Sequence, residues 1–103
     1  MAHIEIIPIL TTLACVTSVL DQNNRLRHHI VSVRIEDQTG HNRLLSIFAA
    51  PTVDVSTLKE EKTYVFHVTP VYRFNRVEFD LVEASGPFYI EANPPTMFRL
   101  VRT

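Results

Sequence analysis

The 103-residue chain has little glycine or cysteine and no tryptophan: two glycines, one cysteine, none of the third. Gly40 and Gly86 stand alone, so glycine-rich loops that cradle a nucleotide phosphate are excluded. A single Cys15 cannot close an internal disulfide or build a zinc site of several thiolates, and it suits a core position in a reducing compartment. No apolar run approaches the roughly 20 residues of a membrane helix. The opening MAHIEIIPIL has neither the basic start nor the small-residue cleavage site of a secretion signal. These features lead us to expect an intracellular protein away from the membrane, nuclear if the source is eukaryotic. Lysine is scarce as well, confined to Lys59 and Lys62.

What the chain has instead is arginine, eight residues of it, within a formal net charge of −1. That total argues against a protein that coats nucleic acid by bulk charge, but leaves a local patch open. Arginine is planar, stacks on rings and forks onto phosphates, whereas lysine is a point charge. Arg25, Arg27, Arg34, Arg43, Arg73 and Arg76 fall around predicted hairpins, and acids such as Glu60 and Glu61 cluster elsewhere.

Alternation of apolar and polar residues with period two runs through most of the sequence. It predicts strands over residues 11–20, 27–37, 42–50, 63–72 and 76–83. In the second, Val31, Val33 and Ile35 share a face opposite His28, Ile30, Ser32, Arg34 and Glu36. Leu45, Ile47 and Ala49 share a face of the third, Tyr64, Phe66 and Val68 of the fourth, and Val77, Phe79 and Leu81 of the fifth. Gly40 supplies the positive φ of a tight turn between the second and third strands. Pro51 ends the third. The segment VDVSTLKEEK then offers Ser56 or Thr57 as a helix cap with Glu60 as its partner, so one or two helical turns are expected there.

Three strands, a short helical connector and two more strands is the order of an oligonucleotide-binding (OB) Greek-key barrel of five strands. A sandwich would want about seven strands, and an SH3-like barrel usually lacks the connector. The fold class expected is all-β, with the barrel over residues 1–92 and a tail over 93–103 that Asn93-Pro94-Pro95 sets apart. The segment LKEEKTYVFHVTPVYRFNRVEFDLVEAS resembles the second half of the OB domains of replication protein A and telomere-end proteins. Lys62, Tyr64 and Phe66 match a "KxYxF" fourth strand, and Val77, Phe79 and Leu81 match the fifth. The glycine often found before that fourth strand is Glu61 or Lys62 here. The resemblance implies single-stranded DNA or RNA as ligand, in replication, repair or telomere maintenance. It equally allows a subunit that serves mainly in assembly, since fold alone does not fix function.

Such a barrel places its ligand groove between the loops that join strands one to two and four to five, here DQNNRLR and VYRFNR. The second loop is unusual: two aromatics and two arginines stand where a bland turn carries Gly, Asp and Ser. Single strands are held by stacking bases on aromatics beside a positive groove. Tyr72 and Phe74 are the expected stacking platforms, Arg73 and Arg76 are expected to bind phosphate or stack, and Arg25, Arg27 and Arg34 to supply phosphate contacts opposite; Asn23, Asn24 and Asn75 could read base edges. The competing reading packs the aromatics across strands and lays the arginines over apolar surface. In the tail, Met97, Phe98, Leu100 and Val101 are too apolar to stand idle in water, and are expected to dock on a protein partner or a second copy.

Neither metal nor catalysis is expected. His28 and His29 face opposite sides of a strand and cannot chelate one ion, and neither His41 nor His67 brings an acid or thiol at ligand spacing. Ser32, Ser46 and Thr69 lack a nucleophile turn, and Asp37, Asp54 and Asp80 form no paired motif. No cofactor is implied.

Overall fold

A computed structural model describes residues 4–89. Five strands form a closed barrel: β1 (Ile7–Leu20), β2 (Leu26–Glu36), β3 (Asn42–Ala49), β4 (Thr63–Arg73) and β5 (Arg76–Phe88). Their order around the barrel is β1-β2-β3-β5-β4, with β4 returning to β1. All neighbours run antiparallel except β3 and β5, which meet in parallel at Ile47–Phe79 and Phe48–Asp80. This topology is consistent with the OB order expected from the sequence. The tail residues Met97, Phe98, Leu100 and Val101 lie outside the described residues.

Closure depends on the length of β1, which serves two neighbours in turn. Ile7 to Thr12 pair with β4, and Leu13 to Leu20 pair with β2. A one-residue irregularity at Ala14 follows directly on the change of partner, as a bulge that bends a strand around a barrel would. The strand starts four residues before Thr11, where the sequence places its beginning. Yet Ile7, Ile9, Thr11 and Leu13 continue one inward row, with Pro8 facing away from it. Pro70 is tolerated in β4 for a related reason: past Val68 that strand has no registered partner on its β1 side. The fifth strand runs on to Phe88, beyond the expected end at Glu83. A shift in register between His67 and Val68 keeps Ala84 packed against the core.

Much of the interior comes from residues that period-two alternation groups on one face of each predicted strand, joined by Ile7, Ile9 and Val55 from outside those strands. Val31, Val33, Ile47, Phe66 and Val68 have no exposed surface, and Leu81 and Tyr64 almost none. Ile35, Leu45 and Phe79 pack against this set from its edges. Val77, expected to share the inward row of β5, is exposed because its hairpin extends past the barrel. The buried Thr11 hydroxyl is satisfied by donating to the Arg34 carbonyl.

The helical connector expected between β3 and β4 is not formed: the described residues contain no helix. Asp54 explains why. Its Oδ1 accepts both the N–H (2.9 Å) and the hydroxyl (2.6 Å) of Ser56, closing a local turn that takes the serine away from capping. A cap at Ser56 would receive the Lys59 N–H, but that group donates to Tyr64 Oη at 2.8 Å. Glu61 then takes a φ of 64°, which no helix permits. The connector still closes the barrel, because Val53, Val55 and Leu58 pack onto its core.

Candidate nucleic-acid interface

The β4–β5 hairpin turns through two residues, Phe74 and Asn75, whose φ angles are 52° and 62°. Positive φ at both central positions is the primed turn that matches strand twist, and Asn suits it. Phenylalanine does not. A bulky residue in the left-handed region costs roughly 1–2 kcal/mol, and this one also leaves 86% of its surface in water.

Beneath this tip lies an open groove of about 690 Å³. The start of β2 (Arg27, His28), the end of β3 (Phe48, Ala49) with Ala50 and Pro51 beyond it, the hairpin (Arg73, Phe74, Arg76) and β5 (Glu78, Asp80, Leu81) line it. On its wall the edge of one ring meets the face of another, His28 against Phe48 with centroids 5.4 Å apart. Arg73 lies over the same Phe48 ring, 5.3 Å from its centre, as a cation over a quadrupole.

Two carboxylates fix Arg73. Its Nε donates to Glu78 Oε1 at 3.0 Å and its Nη2 to Asp80 Oδ1 at 2.5 Å. These contacts, that to Asp80 foremost, raise the guanidinium pKa still further, so Arg73 keeps its charge throughout. Glu78 is nearly buried and also receives Arg76, more loosely, at 3.4 Å. Arg76 otherwise stands in solvent.

The structure thus brings four of the expected residues together, Arg27, Arg73, Phe74 and Arg76. Three others stand apart from the groove lining. Tyr72 is exposed opposite Val77 in the hairpin. Arg25 is exposed beside the β1–β2 turn, whose Asp21 carboxylate holds the N–H groups of Asn23 and Arg25. Arg34 reaches the connector instead, pairing with Glu61 at 2.7 Å, a contact that raises its pKa. Asn24, like Asn75, has positive φ, so both asparagines answer first to their turns.

Sequence reasoning missed His28, Phe48, Glu78 and Asp80 as members of the groove. A signal was present for Phe48, an aromatic on the outward row of β3 with Leu44 and Ser46. Glu78 and Asp80 form a matching outward row on β5. A second cleft, about 490 Å³, is lined in part by Ser18, His29 and Asp54. Ser18 Oγ lies 3.1 Å from His29 Nδ1, a contact between directly opposed residues of β1 and β2. No protein-family model, curated protein or solved structure matches this chain.

Proposed function

We propose that this barrel is an oligonucleotide-binding domain that holds single-stranded nucleic acid in the groove beneath the β4–β5 hairpin. The observation that carries the reading is Phe74, which is strained in backbone and exposed in side chain at the lip of the groove. Neither property helps the fold, and backbone strain of this kind gathers at functional sites. A base stacked on the ring would give the exposure a purpose. Arg27 and Arg76, which line the groove, would meet phosphates, while Arg73, held by two acids, would serve as part of the floor.

The test is fluorescence anisotropy with labelled single strands of about a dozen nucleotides, within the ~4–16 that one such fold covers. Phe74→Ala should weaken binding by about 1–3 kcal/mol, the value of one stacked base, without lowering Tm. Duplex should bind less well, because paired bases cannot open onto a ring. A specific observation favours a second reading as an assembly subunit: Glu78 and Asp80 occupy the groove, and Tyr72 and Val77 leave an apolar pair exposed on the hairpin. If no oligonucleotide binds at low salt, the assembly reading replaces the first.

A further inference from the structure

The groove is poorly equipped to track a phosphate backbone. Of the three arginines that line it, Arg73 is neutralised by Glu78 and Asp80, and Arg76 shares Glu78 with it. Only Arg27 has no carboxylate partner among the described residues. Single strands bound here must therefore be held largely through their bases, and the groove's polar groups decide which. Asp80 is the informative one. Its side chain is 39% exposed, Oδ1 takes Arg73, and no described group donates to Oδ2. An ionised carboxylate accepts and never donates, with about four lone-pair sites on its two oxygens. It therefore attracts a base edge made of donors and repels one that leads with carbonyl oxygens.

We infer that the groove selects guanine, with the Asp80 carboxylate accepting hydrogen bonds from the N1–H and the 2-amino group of its Watson–Crick edge. This rests on the single-strand reading above. Guanine is the base that offers two neighbouring donors there; thymine and uracil flank their one N–H with two carbonyls. Bases in single strands leave their Watson–Crick edge unpaired, so it is readable in this groove.

The experiment compares labelled oligothymidines that differ at one central position: thymine, guanine, or hypoxanthine, which lacks the 2-amino group. The guanine strand should bind about tenfold tighter than the all-thymine strand, the worth of one good bidentate contact. Hypoxanthine should recover only part of that gain, a result that needs no altered protein. Asp80→Asn, which puts an amide donor against the base's donors, should level the guanine and thymine strands. Equal binding of guanine and thymine strands by the native chain overturns the inference and leaves the single-strand reading standing. So does Asp80→Asn weakening every strand by one factor with the guanine ratio kept, since Asp80 would then only hold Arg73. Failure of every strand to bind overturns both.

Discussion

Phe74 sets the fold and the proposed ligand against each other at a single residue. The primed turn it occupies is better served by asparagine, which tolerates positive φ and exposes no ring. Phe74→Asn should stabilise the domain by about 1 kcal/mol, a rise in Tm of roughly 4–8 °C for a chain of this size. In the same variant, single-strand binding should weaken as much as in Phe74→Ala. Thermal melts beside anisotropy measure both at once, and a variant that gains no stability would show the turn is not strained. Arg73 should behave the opposite way. Its bonds to Glu78 and Asp80, discounted because Arg73 and Asp80 are each more than a third exposed, contribute about 1–2 kcal/mol to folding. Arg73→Ala should therefore lower Tm before it touches the ligand.

Among the elements, the connector shows where local signals misled. Ser56, Thr57 and Glu60 have the composition of a helix start, but a cap is decided by which acceptor reaches the N–H groups first. Asp54 and Tyr64 do so here, one from two residues upstream and one from β4. Tyr64→Phe leaves the Lys59 N–H without its acceptor and should cost about 1–3 kcal/mol. Denaturant melts decide this. The strands were legible because one buried face per strand imposes period two, and Val31, Val33, Ile47 and Phe66 obey it fully. Their ends were not: β1 begins at Ile7 in unbroken alternation that runs through Pro8, a residue that argues against a strand, and β5 outlasts the alternation through a shift in register. The site was half legible. Its hairpin is local in sequence, but Phe48 and His28 join it only through the closure of the barrel. The β2–β3 turn adds a pH dependence. The Thr39 hydroxyl, then Arg43 and the His41 N–H, hold the Asp37 carboxyl well below the usual carboxylate range. A carboxyl with a depressed pKa in the fold stabilises at neutral pH, and that help fades as pH falls from the ordinary value through the folded one. Asp37→Asn should thus be less stable than the native chain near neutrality, with the gap closing below about pH 4.

At the scale of the molecule, a net charge of −1 gives no long-range pull toward a polyanion. Any single-strand affinity has to come from local contacts, and salt dependence counts the charged ones. Each phosphate neutralised on a single strand contributes a slope of about −0.7 in log K against log salt. Were Arg25, Arg27, Arg34, Arg73 and Arg76 all to reach phosphates, as the sequence alone allows, the slope would be about −3.5. The ion pairs argue for less. Arg34 is held by Glu61, and Arg73 by Glu78 and Asp80, which leaves Arg25, Arg27 and the loosely paired Arg76. Three phosphates at most give a slope of about −2 or shallower. Arg27→Ala and Arg76→Ala should each reduce its magnitude by about 0.7, whereas Arg34→Ala should leave it unchanged. A native slope near −3.5 would mean that the ligand breaks the internal ion pairs on binding. In that case Glu61→Gln should strengthen binding by freeing Arg34, and if the pairs hold it should have no effect.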